Sequence, residues 1–437
     1  MLGFINSFFE CLTTIEQFFW SYIGFVILLA CGIYLTISSK LFQFRVFFSF
    51  RKCIKELLTS KKKGPVKGVH PIKLYFASVS GMVGLGNIVG VITAITIGGP
   101  GALFWMLAAC FPSMLVKYSE IYLGIRYRRA NDSGGYDGGP MFYLKKAFKN
   151  KIIPGIASVL LCIYSIEVFQ FDVVADTVVD VLGINHYIVI ILLLSAVMYT
   201  ALGGIKRLSQ VCSILMPVFI LLYTGTCLWV IICRADVLLD VIKTVFYSAF
   251  SGHAAVGGFS GSTVMLAIQE GISRSVYSGD IGIGYDSVIQ SETQATLPER
   301  QARLAIFSLF TDVVICSLST LVVLVTGIWT THMAPSLYVS TAFAQFIPGA
   351  QFFMATFLVI AGFTTIVAFL AVGLKCARFL SEKYGKPVYL TVAVFSFIFF
   401  SFFEQEKALL MMSISAGFLV LLNVSGIIRL RKFIRFR

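Results

Sequence analysis

The residues of this chain that could do chemistry lie inside its most apolar sequence. The stretch Ser80-Gly81-Met82-Val83-Gly84-Leu85-Gly86-Asn87-Ile88-Val89-Gly90 puts Gly81, Gly84 and Gly86 close together, with Asn87 beside them, between long hydrophobic runs. Such glycine spacing disfavours an unbroken helix, and a helix broken at membrane depth must turn its freed amides and carbonyls toward a polar, protein-lined space. A second stretch, Tyr277-Ser278-Gly279-Asp280-Ile281-Gly282-Ile283-Gly284-Tyr285-Asp286, repeats the combination of glycines and polar side chains and follows Gln269, Glu270 and Arg274. A third element, Ala361-Gly362-Phe363-Thr364-Thr365, places residues 361, 364 and 365 on one helical face, so that a carbonyl and two hydroxyls can converge on a small hard cation. Each threonine could instead bond a carbonyl of its own helix, the commoner arrangement for isolated pairs. The chemistry these residues offer is the binding of a solute and an ion.

The surrounding elements must be membrane helices. With 437 residues, 58% of them hydrophobic, 13% charged and a mean hydropathy of +0.88, the chain has more apolar sequence than one soluble core can hide. Its net charge of +14 does not form a nucleic-acid patch, because the bases punctuate hydrophobic runs. Ten cysteines without a C-x-x-C pair and four dispersed histidines indicate neither a disulfide framework nor a metal centre of those ligands.

Eleven spans follow from the hydrophobic runs, at roughly 17–37, 73–95, 101–124, 153–180, 186–204, 209–233, 262–291, 303–329, 350–375, 388–403 and 407–428. The first is followed by a basic segment that includes Lys61-Lys62-Lys63, which sets that loop in the cytoplasm and the N-terminus outside. Alternation from there puts 30 of the 35 Lys and Arg in cytoplasmic connections, with the C-terminus cytoplasmic. The segment 126–152 reads as a cytoplasmic loop with a short amphipathic piece, Met141 to Phe148; 236–250 and 336–347 read as amphipathic outer helices. With the first span set aside, the two glycine-rich breaks fall in the first and sixth of ten core spans, the equivalent members of two five-helix halves traversed in opposite directions. The expected organisation is 1–72 for the extra helix and basic loop, 73–235 for the first repeat, and 236–437 for the second. Close helix packing would explain Gly86-x-x-x-Gly90 alone, but not Asn87 or Asp280.

Taken together, Val83-Gly84-Leu85-Gly86-Asn87-Ile88, Gly98-Gly99-Pro100-Gly101-Ala102-Leu103-Phe104-Trp105-Met106, Lys117-Tyr118-Ser119-Glu120, Gly138-Gly139-Pro140-Met141, Gly203-Gly204-Ile205-Lys206, Ala255-Val256-Gly257-Gly258-Phe259-Ser260-Gly261 and Phe363-Thr364-Thr365-Ile366 resemble the alanine or glycine:cation symporter family. The motifs come in the family's order and cover most of the chain. The resemblance implies an all-α, leucine-transporter type fold with a 5+5 inverted repeat and one extra N-terminal helix. It implies uptake of small neutral amino acids, L or D, across the bacterial cytoplasmic membrane by a monomer, with Na+ or H+ as coupling ion, no cofactor and no catalytic residue. Carried over by position, the carbonyls of Ser80 and Val83 with Ala361, Thr364 and Thr365 would hold Na+. The amino acid would lie against Met82, Leu85, Gly86, Asn87, Tyr277, Ser278, Gly279, Asp280 and Phe369, its carboxylate on amides near Leu85 and Gly86 and its ammonium near the carbonyls of Met82 and of Tyr277 to Ser278.

The chain departs from the family pattern where Leu85 replaces Thr, where Gly279-Asp280 replaces Asn-Glu, where Phe369 replaces Trp, and around Glu167 to Asp176 in the third core helix. These changes bear on substrate choice. The acids expected at membrane depth are Glu120, Glu167, Asp172, Asp176, Asp280, Asp286 and Asp312; Lys117 and Glu120, at i and i+3, read as a structural pair, and Asp280 is the first proton acceptor if the ion is H+. A channel would need a continuous pore, and a membrane enzyme would need a catalytic constellation that this sequence lacks. A non-transporting sensor on the same fold is the remaining alternative.

Overall fold

The computed structural model describes residues 2–51, 53, 55, 67–132, 134–251, 264–403 and 405–436. The motif at 255–261 and the three lysines at 61–63 fall outside them. In chain order the helices are α1 (Leu2–Phe18), which passes through a π-helical turn into α2 (Phe25–Ser38), then α3 (Phe42–Phe48), α4 (Pro71–Met82), α5 (Gly90–Gly98), α6 (Gly101–Arg126), α7 (Pro140–Phe148), α8 (Ile152–Tyr164), α9 (Val168–Leu182) and α10 (His186–Leu202). They continue with α11 (Gly204–Cys233), α12 (Ala235–Ser251), α13 (Val264–Ser278), α14 (Tyr285–Gln290), α15 (Pro298–Val325), α16 (Tyr338–Ala344), α17 (Ala350–Leu380), α18 (Gly385–Phe400) and α19 (Glu406–Leu430). One two-stranded hairpin, β1 (Arg129–Ala130) and β2 (Tyr136–Asp137), stands between α6 and α7.

Among the described residues seven helical spans are long and apolar enough to cross a membrane, and α4 with α5 makes an eighth if that bent pair is one span. The pair bends by 65°. α10 and α18 are apolar but shorter, and α13 falls short because Gln269, Glu270 and Arg274 interrupt it. α6 is the centre of the packing, with α13 and α15 lying along it and α2 and α12 flanking it, while α4 is enclosed by α11, α17 and α15. Lipid-length helices gain little from hydrophobic association in a bilayer, so close approach decides which pairs form. A Cβ on Gly271 of α13 would lie 2.4 Å from the carbonyl oxygen of Ala102 in α6, so only glycine lets these two backbones meet.

The structure corrects the expected elements at four places. The first helix begins at Leu2 rather than near 17, because residues 2–18 carry a helical apolar stripe with Glu10 exposed. The span drawn as 153–180 is interrupted at Ser165-Ile166-Glu167, where a buried acid follows a serine and the amide of Val168 turns back to Ile166. The loop 126–152 contains the hairpin, closed by the bonds of Asn131 with Gly135 and Asp137. The second break is long, 279–284, with Asp280 at φ +48° and Gly282 and Gly284 also at positive φ, and it leaves only the short α14 behind it.

α4 starts on His70, whose Nδ1 accepts the Ile72 amide at 3.3 Å; burial and the adjacent Lys73 hold the imidazole below its ordinary pKa and keep that nitrogen free to accept. The glycine contact gives a direct test of the packing. Gly271→Ala should lower the melting temperature in detergent, at about 1–3 kcal/mol of overpacking. Gly225→Ala in α11, where a Cβ meets nothing within 4 Å, should leave it unchanged.

Candidate functional site

The first break is held by Asn87. α4 ends at Val83 (φ −87°, ψ 86°), and a single 3-10 turn, Leu85–Asn87, leads to α5. Asn87 Oδ1 accepts the Gly84 amide at 3.1 Å, while its Nδ2 donates to Ser278 Oγ at 3.1 Å and to Asp312 Oδ1 at 2.5 Å. Ser278 Oγ in turn lies 2.9 and 3.0 Å from the two Asp312 oxygens, so α4, α13 and α15 are tied at one point. The amides of Leu85 and Gly86 donate to no described residue. The Gly86 carbonyl accepts from the guanidinium of Arg274.

The second break is held by Lys117 of α6, which is fully buried. Its Nζ donates to the Gly279 carbonyl at 2.8 Å and the Asp280 carbonyl at 3.2 Å and stands 3.1 Å from Asp286. Glu120, expected as its partner, is farther off at 3.8 Å, because the lysine points across the bundle to the freed carbonyls. Asp286 also accepts from Ser78 Oγ of α4 at 2.5 Å, and the Asp280 carboxylate accepts from Tyr164 at 2.5 Å.

Between the two breaks lies a cavity of about 320 Å³. Met82, Leu85, Gly86, Asn87, Tyr277, Ser278, Asp280 and Phe369 line it, as does Gly84. Gly279 stands behind the wall, where a Cβ would lie 2.4 Å from Leu309. Phe369 forms one face, stacked on Tyr285 with ring centres 4.3 Å apart. Tyr164, Glu167, Gln170 and Arg274 also line the cavity, and the sequence analysis assigned none of these four to the site. An acid at the head of a helix with a glutamine three residues on was the available signal for Glu167 and Gln170.

Beside the cavity, Ser80, Val83, Ala361, Thr364 and Thr365 are all buried. Thr365 Oγ1 lies 2.8 Å from the Ser80 carbonyl of α4 and 2.9 Å from the Ala361 carbonyl of α17. Thr364 Oγ1 lies 2.8 Å from the Ile360 carbonyl and 3.1 Å from that of Ala361. Both threonines thus bond their own helix, and Thr365 in addition reaches across to α4. One hydroxyl proton faces two carbonyls, so either carbonyl can be released without orphaning the hydroxyl. Two hydroxyls and two carbonyls meet here with no carboxylate among them, a donor set for a hard, weakly held cation such as Na+. Among the described residues no group of His, Cys, Asp and Glu could hold a transition metal.

The cavity continues past Arg274 and Tyr277 into a vestibule of about 640 Å³ bounded by Thr13, Glu16 and Glu406. The opposite side is closed. Lys375 of α17 pairs with Glu292 at 2.6 Å and Asp137 at 3.1 Å, and Arg128 donates to the carbonyls of Ser291, Thr293 and Ala295.

Asp312 accepts from both Asn87 and Ser278, so its loss leaves these buried donors only each other and the weak acceptor Cys316 Sγ. Asp312→Leu should destabilise the protein by about 2–3 kcal/mol, whereas Asp312→Asn, which keeps an acceptor oxygen, should cost less. Melting of the purified variants in detergent reads the difference.

The model of the sodium:alanine symporter family matches residues 5–436 of the chain. An uncharacterized transporter of Haemophilus influenzae is 29% identical over 432 residues, which cover 97% of this chain and 94% of that one. The sodium/alanine symporter AgcS of Methanococcus maripaludis is 26% identical, covering 88% and 86%. The probable sodium/glutamine symporter GlnT of Bacillus subtilis is 25% identical, covering 95% and 87%. Of the solved structures, a Na+-coupled sialic acid symporter superposes with a TM-score of 0.52 at 12% identity over 92% of this chain and 83% of its own, and the nucleobase-cation-symport-1 family transporter Mhp1 with 0.53 at 13% over 82% and 75%; both likenesses concern the fold. The chain belongs to the sodium:alanine symporter family, a family of membrane transporters and not of enzymes.

Proposed function

We propose that this protein is a secondary transporter that couples Na+ to the uptake of an amino acid by alternating access, with alanine and glycine, L or D, as the first substrates to test. The observation that carries the reading is the pair of unpartnered amides, Leu85 and Gly86, in the wall of a cavity that also touches the Asp280 carboxylate. A carboxylate on the one and an ammonium near the other is how a zwitterion would satisfy both. The oxygens of Ser80, Ala361, Thr364 and Thr365, with the carbonyl of Val83, would hold the ion at the junction of α4 and α17. An ion there stabilises the broken form of α4 and so favours the state that accepts substrate.

In this reading the eleven spans form two inverted five-helix repeats after one extra helix, and the vestibule faces the outside of a bacterial cytoplasmic membrane, with the N-terminus outside, the C-terminus inside, and a monomer as the working unit. Supporting it, the side closed by Lys375, Glu292 and Arg128 carries the basic connections. Rocking of one bundle against the other would open that side in turn.

The test is uptake of radiolabelled glycine, L-alanine and D-alanine into proteoliposomes under imposed Na+ or H+ gradients. Na+-driven uptake should fall about tenfold or more in Thr365→Ala and be partly kept in Thr365→Ser, which retains the oxygen. Uptake driven only by H+ would transfer the coupling role to Asp280, and no uptake of any amino acid would favour the sensor. Orientation is read separately: Cys11 and Cys233 lie toward the ends of the spans Ser7–Ser38 and Gly204–Cys233 that this reading places outside, and a membrane-impermeant maleimide should label them from outside intact cells.

A further inference from the structure

We propose that the cavity is built for an amino acid larger than alanine, whose side chain ends in a nitrogen bearing N–H donors, and that Glu167 with Gln170 reads that nitrogen. The inference rests on the substrate placement proposed above and concerns the part of the cavity that the backbone of the amino acid does not fill.

Glu167 sits in the interruption between α8 and α9, in the N-cap position of α9, yet its carboxylate makes no capping bond to that helix. It is 8% exposed and lines the cavity. Its one hydrogen bond comes from Gln170 Nε2 to Oε2 at 3.2 Å, which leaves Oε1 for a donor from the cavity. The same bond turns Gln170 so that its own Oε1 is an acceptor, buried and without a partner. That amide lies against the first break: a Cβ on Gly84 would be 2.8 Å from Gln170 Oε1. The neighbouring hydroxyl, Tyr164, is already engaged by Asp280.

Glu167 thus brings an acceptor oxygen to the cavity wall, and Gln170, whose own Oε1 is buried, holds it there. An acceptor left unpaired at a buried wall is costly, so Glu167 calls for an N–H group from what binds there. Glycine and alanine have no side-chain group to give. Size permits it: the cavity of about 320 Å³ has room for a side chain longer than a methyl group. The ionisable side chains that line the cavity include two acids, Glu167 and Asp280, and one base, Arg274. A terminal ammonium and a terminal carboxamide both supply the chemistry, and a site that hydrogen-bonds such a group rejects its apolar analogue strongly.

The experiment is competition against Na+-driven uptake of labelled L-alanine in proteoliposomes of the full chain, using L-lysine, L-glutamine and L-norleucine, the last matching lysine in chain length but lacking the nitrogen. Lysine or glutamine should inhibit at concentrations about tenfold or more below norleucine, and should itself accumulate when labelled. Glu167→Leu should collapse that ratio toward one. Glu167→Gln separates the two nitrogens, keeping the preference for glutamine and losing that for lysine. Gln170→Leu, which removes the amide that holds the Glu167 carboxylate, should reduce the same ratio and is read if Glu167→Leu fails to assemble. Alanine uptake with norleucine as effective as both nitrogen-bearing competitors would overturn the inference and leave the proposed function standing. Uptake of none of these amino acids would overturn both.

Discussion

A backbone that leaves its helix inside an apolar interior must find partners for the groups it frees, and in this chain two side chains meet most of that demand. Asn87 closes the first break on itself and fastens it to Ser278 and Asp312. Lys117 reaches from α6 to the carbonyls of Gly279 and Asp280 and holds the second break open. What these two leave unpaired, the Leu85 and Gly86 amides above all, is what the cavity offers to a ligand. The helices fix the frame, but the distribution of satisfied and unsatisfied polar groups fixes where binding can happen.

The same constraint explains what could be read from the sequence. Glycine-rich interruptions with Asn87 and Asp280 mark both breaks because an apolar helix has no other reason to contain them, and the positions expected for substrate line one cavity, except Gly279. The oxygens of Ser80, Ala361, Thr364 and Thr365 stand together, and the face shared by 361, 364 and 365 was visible from helical spacing. Less visible was anything that depends on which helix lies opposite. Lys117 and Glu120 look like a pair at i and i+3, and only the fold shows that the lysine turns toward another helix. Glu167 lies in a run that reads as one continuous span, and its position in an interruption follows from packing against α17 and the second break. Gly279 looks like a lost polar partner in sequence, whereas in space it faces the Leu309 side chain behind the cavity wall.

The departures from the family pattern also take on a physical meaning. Phe369 stacks on Tyr285, and that ring pair forms a flat apolar wall where an indole N–H would have needed a partner. Leu85 removes a hydroxyl from the cavity, while Glu167 and Gln170 bring acceptors to a different side of it. In the proposed reading, polar character therefore sits on the Glu167 side of the cavity and not at position 85.

α17 carries three things on one uninterrupted rod: the hydroxyls of Thr364 and Thr365, the ring of Phe369, and the ammonium of Lys375. From Thr365 to Lys375 the rise is about 15 Å at 1.5 Å per residue. Because a helix transmits displacement along its axis with little loss, a tilt set by an ion at the proposed site would be felt at the charge cluster of Glu292 and Asp137. Thermodynamic reciprocity then runs both ways. Under the ion site and orientation proposed above, whatever weakens the Lys375 cluster from the cytoplasm, whether dissolved salt or a competing anion, would also alter how tightly the site at Thr365 holds its cation, so the composition of one compartment would be sensed as an affinity for an ion drawn from the other.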